Sequence, residues 1–159
     1  MYNTSFVALL STIIDDIIKF IDTLDAAVHT TELSAVSTID SPGYGPDAIQ
    51  LFADNVSDYR DAWFSIDCKL FHCLTDDELP GLEDSVFRLI DDSRSNERRL
   101  RNLERTLGLC ATAAIDCPGA SVHILRFAAD NLRSSRDAAS AIMDTLRALI
   151  DTKEMEAVK

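Results

Sequence analysis

The sequence predicts an all-α fold, a bundle of about seven helices around a buried central one, and three observations carry that prediction. Apolar residues recur at intervals of three and four through most of the chain, the period of an amphipathic helix. No segment alternates apolar and polar residues as a half-buried strand does. One run, Leu107 to Ile115, holds no charged residue at all, and a helix that shows water no polar face is expected to be wrapped by others.

At 159 residues the chain is long enough to bury a core without staples, and 1–159 reads as one domain. Its apolar share is 47% with only 5 Gly and 4 Pro, which excludes disorder and fibrous repeats. The 27 acidic residues against 15 basic ones give a net charge of −12. That balance speaks against nucleic acid and against anionic membranes, because both are contacted chiefly through Lys and Arg. The apolar start "FVALLSTIIDDIIKFIDTL" lacks a preceding basic region and a cleavage site, and Asp15, Asp16, Lys19 and Asp22 interrupt it. The expectation is a soluble, non-secreted protein with no membrane insertion.

The first helix places Phe6, Leu10, Ile13, Ile14, Ile17, Ile21, Leu24 and Val28 on one face. Leu9 and Phe20 widen that face on one side, Val7 and Ile18 on the other. Such an arc fits either deep packing between two neighbours or an edge left as a contact surface. The Ser, Thr, Gly and Pro of residues 30–46 then read as a flexible loop. Pro46 and Asp47 open a stripe of Ile49, Phe52, Ala53, Val56, Tyr59, Trp63, Leu70, Phe71 and Leu74. Asp67 falls inside that stripe, so two helices are expected, with a break between residues 60 and 67. Pro80 and Gly81 mark a turn, with Asp76 or Asp77 as a cap, and a short helix covers Leu82 to Ile90.

After the polar stretch "DDSRSNERRLRN", Leu100, Leu103, Leu107, Ala111 and Ala114 lead into the charge-free run. Leu107, Gly108, Cys110, Ala111 and Ala114 are therefore the expected structural centre, with Gly108 retained for close helix approach. The segment "DCPGAS" ends this helix, and Ser121 is placed to cap the next. Val122, Leu125, Ala128, Ala129 and Leu132 form the inner stripe there, while Phe127 sits with His123 and Asp130 on the polar side. A last helix holds Ala139, Ile142, Met143, Leu146, Leu149 and Ile150, and 152–159 is a charged tail.

Catalytic templates are absent from the sequence: no GxSxG, P-loop, GxGxxG, HExxH or EF-hand loop occurs. His29, His72 and His123 stand in separate segments, and the paired Asp residues read as solvated faces and caps. The expectation is no enzyme, no cofactor and no metal. Cys68, Cys73, Cys110 and Cys117 have spacings unlike zinc sites. Reduced core cysteines are expected, and two disulfides are the alternative.

The run Leu107-Gly108-Leu109-Cys110-Ala111, with the stretches Ser57–Ile90 and Ser121–Ile150, resembles the poxvirus Bcl-2-like family over about two thirds of the chain. These are intracellular virulence factors. The resemblance implies a Bcl-2-like bundle of about seven helices around a buried central helix, in the host cell cytoplasm. It also implies one of two roles: binding a host adaptor or kinase to block innate signalling towards NF-κB or interferon-regulatory factors, or holding a pro-apoptotic helix in a groove. The groove-binding branch carries an Asn-Trp-Gly-Arg-like signature where this chain reads Ser95-Asn96-Glu97-Arg98-Arg99. Trp and Gly are missing, which leaves Arg98 or Arg99 as the groove cation and favours the signalling branch. Some members dimerise through the first and sixth helices. Ile18 and Phe20 with Phe127 are then the candidate partner or homodimer face. Outside that family, the alternative is a secreted four-helix enzyme inhibitor held by two disulfides.

Overall fold

In the computed structural model, residues 4–75 and 83–157 are described, with side chains over 8–41, 43–74 and 86–151. The fold is all-α, but it is built from four long helices rather than about seven. They are α1 (Thr4–Asp40), α2 (Gly45–Thr75), α3 (Glu83–Ala113) and α4 (Ser121–Ala157), and no strand occurs among the described residues. Short 3₁₀ turns, Pro42–Tyr44 and Pro118–Ala120, precede α2 and α4. The turn expected around Pro80 and Gly81, with its caps Asp76 and Asp77, lies outside the described residues, as do the side chains of Phe6 and Val7.

Helix α1 packs most extensively on α4, and α2 on α3; contacts between α3 and α4 and between α1 and α2 close the bundle. Ion pairs set the direction of each pair. Asp25 meets Arg136 at 2.7 Å and Glu32 meets Arg133 at 2.5 Å, so α1 and α4 run antiparallel. On the other side, Arg60 of α2 pairs with Glu104 of α3, and the Trp63 Nε1–H donates to the Ser93 carbonyl at 2.9 Å. Lys69 reaches back to Asp16 of α1 at 2.8 Å, and Arg99 Nη1 donates to the Ser134 carbonyl of α4 at 2.9 Å.

The core follows the predicted stripes, except that Phe71, expected in the inner stripe of α2, is exposed. Leu10, Ile13, Ile17 and Leu24 of α1 face Ile49, Phe52, Val56, Trp63 and Leu70 of α2, Leu100, Leu103 and Leu107 of α3, and Leu125, Leu132 and Leu146 of α4 within one buried cluster. Phe20 and Trp63 pack ring on ring at 4.9 Å. The wide arc of α1 is thus packing between two neighbours: Phe20 is buried and Ile18 is half-buried against the core. Deep burial of one such side chain is worth about 1.5–3 kcal/mol.

Three expected breaks and one expected loop are helix instead. The segment 30–40 continues α1, because its hydroxyls bond within the helix. Thr30, Thr31, Ser34 and Ser37 each donate to the carbonyl four residues back, and Thr38 to that of Ala35. A polar run satisfied this way keeps helical geometry, while Val28, Ala35 and Thr31 stay buried. Helix α2 runs through 60–67 with Asp67 buried inside it. Helix α3 absorbs residues 91–99, and α4 is one helix where two were expected, passing the buried Ser135 and extending through Ala157 of the expected tail. In each case a polar residue in the inner stripe interrupts the sequence pattern and leaves the backbone untouched.

The central-helix expectation fails on burial. Leu107, Ala111 and Ala114 face inward as expected, but Leu109 is 75% exposed, Ile115 69% exposed, and Cys110 half-buried. Helix α3 is an ordinary member of a four-helix bundle, with one face on water. A Cβ added at Gly108 would meet nothing within 4 Å, so close packing is not what keeps glycine there. That role belongs to Gly45, where a Cβ would fall 2.2 Å from Ser121 Oγ and 2.6 Å from Ser121 Cβ. Ser121 itself is buried with its Oγ unpartnered and makes no side-chain cap for α4.

Candidate binding surfaces

The residues singled out in the sequence do not come together. Phe127 is exposed on α4, as expected, beside exposed His123 and Asp130. The Asp25–Arg136 and Glu32–Arg133 pairs put Phe127 near the C-terminal end of α1, roughly 25 Å along the bundle from Ile18 and Phe20. Burial of Phe20 removes it from any surface, so the three do not form one face. Arg98 lies exposed 4.0 Å from Asp91, and Arg99 ties α3 to α4 through the Ser134 carbonyl. Neither lines a cleft described below.

Exposed apolar side chains are found among the described residues at the end of the bundle where α1 meets α2 and α3 meets α4. Twelve large apolar side chains are exposed among the described residues, and eight of them lie where α1 passes into α2 and α3 into α4: Leu33, Val36, Ile39, Tyr44, Leu51, Leu109, Ile115 and Phe127. The other four are Leu9, Phe64, Phe71 and Phe87. Single exposed apolar residues are ordinary, and a contiguous patch of several hundred Å² is what marks a contact surface. Val36, Ile39 and Tyr44 went unnoticed in the sequence because they stood in the supposed loop. Helical spacing from Leu33 to Ile39 was the signal that would have found them.

Two of the clefts between helices are lined wholly by described residues. The first, about 300 Å³ between α1 and α2, is lined by Asp16, Lys19, Phe20, Tyr59, Ile66 and Lys69 among others. A hydrogen bond from Lys69 holds the Asp16 carboxyl below its usual pKa, against the opposing effect of burial. Burial, with the nearby charge of Asp58, raises the Tyr59 phenol. Because Lys69 and Asp16 satisfy each other, this cleft presents a closed ion pair.

The second cleft, about 330 Å³, lies between α2 and α3. Phe64, Asp67, Cys68, Phe71 and His72 come from α2, and Arg94 and Glu97 from α3. Arg94 sits over the Phe71 ring, 5.2 Å from its centroid. Glu97, buried, bonds outward to Arg101 at 2.5 Å. Asp67 is 9% exposed, and its Oδ1 is shielded from solvent without a hydrogen-bond partner. In the sequence Asp67 was noticed only as a fault in an apolar stripe; a charge in phase with buried positions was the clue to a site.

Among the described residues no set of three His, Cys, Asp or Glu side chains is placed to hold a metal ion, and no helix is long and apolar enough to cross a membrane. No disulfide joins Cys68, Cys73, Cys110 and Cys117; the first two stand five apart on one helix, and Cys117 is exposed at the other end of the bundle. No protein-family model matches the chain, and neither curated proteins nor solved structures yield a match.

Proposed function

We propose that this protein is a binding module that engages a protein partner through the apolar end of its four-helix bundle. The observation that carries the reading is the exposure, among the described residues, of Leu33, Val36, Ile39, Tyr44, Leu109, Ile115 and Phe127 on helix segments that share that end. Clustered apolar side chains with a polar surround are the composition of an interface centre. A three-site variant, Val36→Asp, Leu109→Asp and Ile115→Asp, tests it. Proximity labelling in cells with wild type, this variant, and a control bearing three Asp substitutions at exposed Ala62, Ser65 and Ala141 should show partners lost only from the first variant. Identical partner sets for all three proteins end the proposal.

Inhibition of innate signalling is the finer form of this reading, implied by the resemblance to poxvirus Bcl-2-like proteins. Its premise of a buried central helix is not met, since Leu109 and Ile115 face water. It therefore stands on the apolar end alone. Suppression of an NF-κB reporter by wild type, lost in the three-site variant, is the result it requires; an unaffected reporter removes it. The groove-binding alternative asks that a pro-apoptotic helical peptide bind in calorimetry with dependence on Arg98 or Arg99.

The four-helix architecture favours one further reading, an enzyme inhibitor of the disulfide-stapled four-helix type. That reading needs paired cysteines, and none are joined here. A thiol count below four on denatured, unreduced protein would restore it.

A further inference from the structure

We infer that the α2–α3 cleft is a binding site for a short aliphatic amine or guanidine, whose cationic head is received by Asp67. A carboxylate placed inside a helical core is costly unless a counter-charge or donors accompany it. Asp67 is nine-tenths buried, and its Oδ1 has no hydrogen-bond partner. Neither Arg94, which lines the same cleft, nor Arg101 forms an ion pair with Asp67. Arg101 bonds Glu97, and Arg94 lies over the Phe71 ring with its side chain exposed at the rim. The missing counter-charge is therefore supplied from outside the chain.

The rest of the cleft fits such a ligand. Asp67 is among the residues that line it, with its Oδ1 itself shielded from solvent. Glu97, held by Arg101, and Arg94 complete the polar part of the wall, and Phe64, 54% exposed, offers a ring face along which a cation and its methylene chain can lie. A volume of about 330 Å³ is small for a ligand site, which selects a chain of a few carbons over a drug-sized or aromatic molecule. The net charge of −12 draws cations towards the surface and repels anions.

The test uses the full chain with agmatine and n-butylamine as probes, n-butanol and butyrate as uncharged and anionic controls, and the variants Asp67→Asn and Phe64→Ala. Calorimetry and thermal shift should show the two cations binding wild type and the controls silent. Asp67→Asn should lose at least tenfold in affinity while melting at or above the wild-type temperature, because a lone buried charge has been removed. Phe64→Ala, at an exposed position, should weaken agmatine severalfold and leave the fold intact. A short peptide with a central Arg forms a second arm. If it binds more tightly than agmatine, the cation belongs to a partner's side chain; if more weakly, to a free small molecule. Absence of binding by either amine at millimolar concentration overturns the inference. So does equal binding by Asp67→Asn, or a large loss of stability in that variant, which would show that the carboxylate is already compensated within the fold. None of these changes touches the apolar end, so this site and the partner surface fail or succeed separately.

Discussion

Two glycines make opposite predictions, and the contrast measures how closely the helices approach. At Gly45, the first residue of α2, an added methyl would sit 2.2 Å from Ser121 Oγ and 2.6 Å from Ser121 Cβ. Neither glycine has a left-handed φ, so the difference between them is steric. Ser121 is fully buried at the start of α4, and no rotamer change moves its Cβ. The helix N-termini must therefore separate by about an ångström, an overpacking that costs about 1–3 kcal/mol. At Gly108 nothing lies within 4 Å, and alanine gains about 0.5–1 kcal/mol from helix propensity. For a chain of this size 1 kcal/mol moves the melting temperature by about 2–4 °C. Gly45→Ala should then melt about 2–12 °C below wild type and Gly108→Ala about 1–4 °C above it, by calorimetry. Adding Ser121→Gly to Gly45→Ala removes both clashing atoms and should return most of the loss, a coupling read from the double-mutant cycle. Equal effects at the two glycines, or no recovery in the double variant, would refute the close approach of α2 to α4. The same result would restore the expectation that Gly108 is the packing glycine.

Three further measurements follow. Trp63 is the single tryptophan, fully buried against Phe20, so native emission should be blue-shifted and protected from acrylamide. Trp63→Phe, which also loses the donor to the Ser93 carbonyl, should cost about 2–4 kcal/mol in urea unfolding. For the Asp16–Lys69 pair, the lowered carboxyl pKa means its stabilisation is present above the unfolded carboxylate value and lost as pH falls through the folded one. Asp16→Asn should accordingly cost a few tenths of a kcal/mol at pH 7, a cost that shrinks as pH falls below the ordinary carboxylate range; a difference that grows on acidification would reverse the assignment. In thiol labelling of native protein, exposed Cys117 should react first and buried Cys73 only on unfolding, with four thiols in total after denaturation.

Much of the fold was legible in the sequence. The inner stripes of α1, α2 and α4 could be read from spacing alone, because Leu, Ile and Phe at three-and-four intervals have no other stable home. Helix number was not legible. Each false break coincided with a polar residue in a buried stripe: Asp67 in α2, Ser93, Asn96 and Glu97 in α3, Ser135 in α4. Periodicity treats such a residue as an interruption, whereas an established helix simply carries it inward. The Thr- and Ser-rich end of α1 misled for a related reason. Hydroxyls that favour loops by bonding to the backbone bond equally well to a helix carbonyl one turn back. The charge-free run of α3 misled in the opposite sense, since absence of charge does not entail burial. Seven of the nine residues there are Gly, Ala, Cys, Thr or inward-facing Leu, and only Leu109 and Ile115 are large and exposed.

These failures divide into two kinds, and the division bears on function. Ser93 and Ser135 are small, and a buried hydroxyl without a partner costs little enough for a long bundle to tolerate. Asp67 is different: leucine or valine at that point in α2 would continue the stripe, complete the core and remove a buried charge. Leu109 and Ile115 pose the mirror problem, because a polar residue at either position would improve solubility at no cost to packing. Local consistency gives way at sites that serve something beyond folding. Among the described residues, Asp67 is a buried carboxylate with an unpartnered oxygen that lines a cleft, and eight of the twelve exposed large apolar residues lie toward one end of the bundle. Both departures thus fall where a ligand or a partner would supply what the chain omits, a cation in the first case and an apolar surface in the second.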